Sequence, residues 1–184
     1  MLELEKEITI RREKEEDYRI VENLTREAFW NVYCPGCKEH FVLHRMRSDS
    51  AFVPELDFLI ERNHEIVGQI AYVRSEIICS NGSRLPVLTF GPISIAKEYQ
   101  KRGYGTYLLN YSAKAKGIRY ADDLEADYLL VKELIPGFLN GVQGIYKDPE
   151  CYFSAEKNPD EFAAFDALFP LKEKKKIPGQ IFGS

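Results

Sequence analysis

Two long apolar runs, Ile66–Ile78 and Val87–Ile95, flank the dipeptide Asn81-Gly82. Asparagine and glycine tolerate the positive φ that tight hairpin turns require. The two runs are therefore expected to pair as antiparallel strands. Pro92 interrupts the second run. It has no N–H to give to a ladder, so this strand should bulge or splay there. Upstream, Leu56, Phe58 and Ile60 alternate with Asp57, Leu59 and Glu61. That is the pattern of a strand with one buried face. The polar turn Arg62-Asn63-His64-Glu65 carries it into Ile66, and Ile8-Thr9-Ile10 adds a short strand near the start.

Helical spacing appears on either side of this sheet. Tyr18, Val21, Leu24 and Ala28 give one buried stripe and predict a helix over Glu15–Phe29. Asn31–Ser50, rich in aromatics, His and Arg, fits a loop or a broken helix. Directly after the proline-containing strand comes YQKRGYGTYLL, Tyr99 to Leu109. Past Gly103, the residues Tyr104, Leu108, Tyr111 and Ala115 fall on one helix face, and Gly117 suits its end. Strand, glycine loop and helix are thus consecutive. The first turn of such a helix has unpaired N–H groups and a partial positive charge. Glycine lets a phosphate approach the backbone closely, and Lys101 and Arg102 add charge. This predicts an anion site. The spacing is neither GxxxxGK[ST] nor GxGxxG, so it belongs to neither a Walker loop nor a dinucleotide fingerprint.

The bulk chemistry makes such a site necessary for any anionic ligand. With a net charge of -4 over 184 residues, the chain has no global attraction to nucleic acid. The basic run Lys174-Lys175-Lys176 reads as a solvated tail. No stretch approaches the roughly 18 consecutive apolar residues of a membrane span, and the acidic N-terminus lacks a signal-peptide core. A cytoplasmic protein without membrane contact is expected. Four cysteines do not make a disulfide scaffold at this length. Cys34, Cys37, His40 and His44 are zinc-ligand types, but all fall within 11 residues. Zinc sites usually join two separated knuckles. The segment is read as a substrate-side loop, with no metal expected.

Gln100-Lys101-Arg102-Gly103-Tyr104-Gly105 matches the Q/R-x-x-G-x-G/A signature of the GNAT superfamily, the acetyl-CoA-dependent N-acetyltransferases. The Pro92 strand resembles that family's bulged fourth strand. The order of elements from Ile8 to Lys116 also resembles the N-terminal two-thirds of its fold. LTREAFWNVYCPGC, VPELDFLIE, LTFGPISIA and EADYLLVKELIPGFL are similar to a group of mostly uncharacterised bacterial members. The resemblance implies a single α/β (α+β) domain over residues 1–184. Its sheet would be mixed and mostly antiparallel, with helices on both faces and a C-terminal helical extension. It further implies that backbone amides from Gln100, Lys101, Arg102, Gly103, Tyr104, Gly105 and Thr106 hold the coenzyme A pyrophosphate. Ile93, Ser94 and Ile95 would lie along the pantetheine arm, and an amide near Ile95 would polarise the thioester carbonyl. The implied reaction is acetyl transfer to a primary amine by direct attack in a ternary complex. The alternative is a non-catalytic acyl-CoA sensor or interaction module.

The chain departs from the family after this helix. Gly117 to Asp127 holds no apolar run, and the next strand candidate is Tyr128–Val131, within a C-terminal part spanning 127–184. A strand and a helix, about 25–35 residues with their loops, are missing near 112–119. Either the domain lacks them, or the sequence omits a stretch of the natural chain. The second reading is preferred, because a deletion would leave the fourth strand with an unpaired edge.

Three carboxylates are candidate bases: Glu55, Asp57 and Glu76. Each could also be an ordinary surface group, and Glu98 reads as exposed. Trp30, Tyr33, Phe41 and His44 lie where GNAT proteins build the acceptor pocket, as contacts or as wall. Tyr146 and Tyr152 could reach the cleft. In the tail, Asn158-Pro159-Asp160-Glu161 carries an N-cap, a first-turn proline and two acids. Phe162, Phe165 and Phe169 then recur at helix spacing. A short helix is expected there, which could close the acceptor site or form a homodimer contact. The acceptor itself, a small-molecule or a protein amine, is not named by any residue.

Overall fold

The protein is described by a computed structural model over residues 8–115 and 137–181. Strands β1 (Ile8–Arg12), β2 (Phe58–Arg62), β3 (Glu65–Cys79) and β4 (Arg84–Ile95) lie in that order across one sheet. A short β5 (Gly144–Tyr146) pairs with the far end of β3. Every pairing among the described residues is antiparallel.

The Asn81-Gly82 hairpin forms as the dipeptide predicts, with Gly82 at φ +81°. The bulge at Pro92 forms too. Ile70 pairs with Ile93 and Tyr72 with Phe90, so Ala71 alone faces Gly91 and Pro92. A two-against-one mismatch of this kind bends the strand and reverses which side chains share a face.

Helices α1 (Tyr18–Phe29) and α2 (Glu39–Met46) cover one face of the sheet, and α3 (Tyr104–Ala115) covers the other. On the α3 side, Tyr104 and Leu108 pack on Phe58, Ile60, Ile70 and Tyr72. On the α1 side, Val21, Leu43 and Met46 pack on Leu59, Ala71 and Val73. The sequence reading of β2 as a one-faced strand is therefore corrected. Its alternate residue Leu59 is fully buried because a second helical layer lies over it. The helix expected from Glu15 starts at Tyr18, after a short 3₁₀ turn at Glu15–Asp17. The irregular segment after Asn31 contains α2 as its one regular element among the described residues.

Two small helices follow β5: α4 (Ser154–Lys157) and α5 (Pro159–Asp166). Phe165 and Phe169 bury against Phe41 and Ala155, joining this extension to α2. Asn158 precedes α5 as expected, but its side chain makes no cap there. It donates instead to the Ser154 carbonyl at 3.0 Å, closing the end of α4. α3 is continuous to Ala115. The rest of the 112–119 segment and the strand expected at Tyr128–Val131 lie outside the described residues.

Candidate coenzyme site at the end of β4

β4 ends at Ile95, a 3₁₀ turn follows at Lys97–Tyr99, and α3 begins at Tyr104. The chain can reverse this sharply because Lys101 and Gly103 take positive φ, +59° and +88°. The Tyr107 N–H donates to the Gly103 carbonyl at 2.9 Å, which makes Gly103 the residue that opens the helix. The N–H groups of Tyr104, Gly105 and Thr106 precede the first intrahelical bond and need an outside partner.

These residues surround a cavity of about 260 Å³, lined by Ile95, Tyr99, Gln100, Lys101, Gly103, Tyr104, Gly105 and Thr106. Seven of the ten residues expected to hold a coenzyme line it. Arg102, the one loop member outside the lining, lies near the Tyr99 ring, 5.9 Å from its centroid. The Gln100 amide donates to the Ile95 carbonyl at 3.0 Å and ties loop to strand. Gly105 faces β4 closely: a Cβ there would lie 3.9 Å from both Ile93 and Ile95 side-chain carbons. A helix N-terminus, positive-φ backbone and nearby cations are what a phosphate needs.

The edge of β4 away from β3 continues from this cavity at Ile95. The Ala96 N–H donates to the Val67 carbonyl at 2.9 Å, and Gly68 stands opposite Ile95. In an antiparallel ladder the bonded pairs alternate. Ile93 and Ile95 therefore turn their backbone groups away from β3, to an edge with no strand partner among the described residues. An extended chain could pair there. Ser94 does the opposite. Its backbone faces β3, and its buried hydroxyl bonds Thr25 Oγ1 at 3.0 Å under α1.

The candidate bases do not converge on this edge. Glu55 is exposed in a turn at Pro54–Leu56. Glu76 pairs with Arg84 at 2.6 Å beside the hairpin, at the other end of β4. Asp57 is not solvent-facing: it is 5% exposed. Burial, then a hydrogen bond with Glu13, pushes its carboxyl up to about 9. Glu13 is in turn held by Arg47 at 2.8 Å, which also binds Glu22 at 2.7 Å.

A pH signature follows from Asp57. The folded protein holds a proton that the unfolded chain releases above about 3.9. This contribution to stability is complete below that value and is lost as pH rises toward about 9. The Asp57→Asn variant keeps a donor for Glu13 without needing a proton. It should gain thermal stability over the parent as pH goes from 5 to 8. Equal pH slopes in melting curves of the two proteins would contradict this.

The expected acceptor-pocket residues lie at the end of α1, in the loop after it and on α2. Phe41 is fully buried in the cluster with Phe165 and Phe169. His44 bonds the Glu22 carboxylate at 2.9 Å and packs on Phe165, 4.4 Å between ring centroids. Trp30 donates to the Glu173 carbonyl at 3.0 Å, and Tyr33 is partly exposed beside Phe29. All four meet α1, α2 or the C-terminal segment, which competes for the same faces. Tyr152 and Tyr146 do reach β4. The Tyr152 hydroxyl donates to the Gly91 carbonyl at 3.3 Å, and the Tyr146 and Thr89 hydroxyls lie 2.8 Å apart. Desolvation raises both phenols above the ordinary tyrosine value. Among the described residues, no group of three His, Cys, Asp or Glu could hold a metal, and no helix is long and apolar enough to cross a membrane.

No family model matches the sequence, and no curated protein matches it. Solved structures do match the fold. A GNAT family acetyltransferase from Brucella melitensis, solved with acetyl-CoA, is similar with a TM-score of 0.57 at 20% identity. The match covers 79% of this chain and 97% of that one. A GNAT family N-acetyltransferase from Escherichia coli, solved with CoA, gives a TM-score of 0.59 at 17% identity over 79% and 92% of the two chains. This chain therefore has the fold of the GNAT acetyltransferases.

Proposed function

We propose that the protein is an acyltransferase that binds acetyl-CoA and passes its acetyl group to a primary amine. The observation that carries this reading is the continuity of two features. A phosphate-sized cavity at the α3 N-terminus adjoins a strand edge at Ile93 and Ile95 that has no strand partner among the described residues. A coenzyme A molecule has that shape: a pyrophosphate followed by an extended arm with two amides. The two GNAT structures of the same fold were solved with acetyl-CoA and with CoA, which supports carrying the ligand over.

In this reading the backbone amides of Tyr104, Gly105 and Thr106 bind the pyrophosphate, with Lys101 and Arg102 adding charge. Ile95, together with the Ile93 carbonyl, pairs with the pantetheine amides. The thioester then lies near the bulge, where a backbone N–H polarises its carbonyl. Catalysis would rest largely on holding amine and thioester together. The attacking amine must be neutral, so a base or a water chain must take its proton. The acceptor is a small-molecule or a protein amine.

Titration calorimetry with CoA, followed by thiol release from acetyl-CoA in the presence of an amine panel, tests the reading. CoA should bind, and at least one amine should release thiol above the hydrolysis background. Binding without amine-dependent release across the panel would favour the acyl-CoA sensor. Absence of binding would reject both.

A further inference from the structure

β3 carries one polar side chain in an apolar stretch, Val67-Gly68-Gln69-Ile70-Ala71. Gln69 is fully buried. Its Nε2 donates to the Pro92 carbonyl at 2.9 Å and to Ser94 Oγ at 3.1 Å, and lies 3.5 Å from Thr25 Oγ1. The Ser94 hydroxyl donates onward to Thr25 Oγ1 at 3.0 Å. Gln69 Oε1 has no hydrogen-bond partner. The amide is thus oriented by what it donates to, at the expense of its own acceptor.

The Pro92 carbonyl lies in the bulge, where two residues of β4 face one of β3. A regular ladder has no spare N–H for the extra peptide unit, and Gln69 supplies one from its side chain. The Pro92–Ile93 peptide is trans. In a planar trans peptide the C=O and N–H point in opposite directions. Holding the Pro92 carbonyl toward Gln69 therefore fixes the Ile93 N–H the other way. The alternation of the ladder gives that N–H to the edge of β4 away from β3.

We propose that Gln69 is a positioning residue: through the Pro92 carbonyl it holds the Ile93 N–H as the donor to the thioester carbonyl of acetyl-CoA. The proposal rests on the acetyl-CoA reading above. A donor of this kind is effective because it is already aimed when charge develops on the oxygen. Without Gln69 the Pro92 carbonyl loses this side-chain hydrogen bond and the bulge peptide is less firmly held, while the phosphate cavity at α3 is untouched.

The test uses the full chain, with CoA and [1-¹³C]acetyl-CoA as probes. Difference infrared spectroscopy reads the thioester carbonyl stretch, and calorimetry reads CoA affinity. Gln69→Met removes the donor in an unbranched side chain of similar size, and Gln69→Leu gives a second shape in case one variant does not fold. Thr25→Val is the control, since it perturbs the same buried network and leaves the Gln69–Pro92 bond. The parent and Thr25→Val should shift the bound carbonyl to lower frequency than free acetyl-CoA. The Gln69 variants should lose that shift, with CoA affinity within about threefold of the parent. Their kcat for any amine found active should fall by about 10²-fold, as for loss of one oxyanion donor, with little change in KM. A shift that persists in both Gln69 variants would overturn the proposal, as would equal loss in Thr25→Val. Failure of the parent to bind CoA would reject the acetyl-CoA reading itself.

Discussion

Replacing Gly103 with valine is expected to remove CoA binding and leave the domain folded. Gly103 sits at φ +88° and accepts the first hydrogen bond of α3. An L-residue in the left-handed region is disfavoured by about 1–2 kcal/mol, and a β-branched one more so. The backbone can relieve that strain by rotating, which swings the N–H groups of Tyr104, Gly105 and Thr106 away from the cavity they line. The valine side chain would also occupy the approach that glycine leaves open. Both effects act on the phosphate, whose binding depends on several convergent N–H groups. A loss of about 3 kcal/mol is more than a hundredfold in affinity.

Strain alone must be separated from loss of the site. Gly82 provides the control, because it has nearly the same φ, +81°, with open space around its Cβ position. It lies in the hairpin at the opposite end of β4. Gly82→Val should destabilise the fold by a similar amount and bind CoA like the parent. Calorimetry with CoA and circular dichroism on both variants decide the matter. Parent-like affinity in Gly103→Val would remove the cavity from the coenzyme site.

Much of this site was legible because its causes are local. Asn81-Gly82 states its own turn, Pro92 states its own missing donor, and Gly103 precedes a helix face that Tyr104 and Leu108 define within one turn. Contacts between distant segments were not legible in the same way. Alternation along β2 shows which residues share a face, but Leu59 is buried because α1 and α2 cover the second face. Phe41 and His44 have the composition of a pocket wall. Phe165, more than a hundred residues later, packs on both rings. Asn158 has the right type for a cap, and a competing carbonyl at Ser154 takes its amide. Gln69 lies inside the run Ile66–Ile78 that reads as apolar, and nothing in that pattern marks its role. Its meaning depends on which carbonyl stands across the ladder, and that is a matter of register.

The extension should prove to be part of the core, through a buried charge. The Arg26 side chain is 2% exposed and donates to Asp166 Oδ1 at 2.7 Å. It also donates to the Pro170 carbonyl at 3.2 Å and stacks on Trp30, 4.2 Å from the ring centroid. His40 lies 3.2 Å from the same carboxylate oxygen, but desolvation lowers its pKa to about 4. The imidazole is thus neutral at pH 7, and Arg26 is the buried cation that Asp166 neutralises. Asp166→Ala leaves that guanidinium buried with no counter-charge, a change that costs about 3–5 kcal/mol. For a domain of this size the melting temperature should fall by roughly 6–20 °C. The double variant Arg26→Met/Asp166→Leu should recover most of the loss, since an apolar pair has no charge to strand. Asp166 lies outside the cavity lining, so CoA affinity measured below the transition should match the parent. A loss under about 1 kcal/mol in Asp166→Ala, the level of an exposed ion pair, would mean that water reaches Arg26 and that the extension rests on the domain as an appendage. Recovery in the double variant would instead identify the stranded charge, and not the lost contact, as what destabilises the single one.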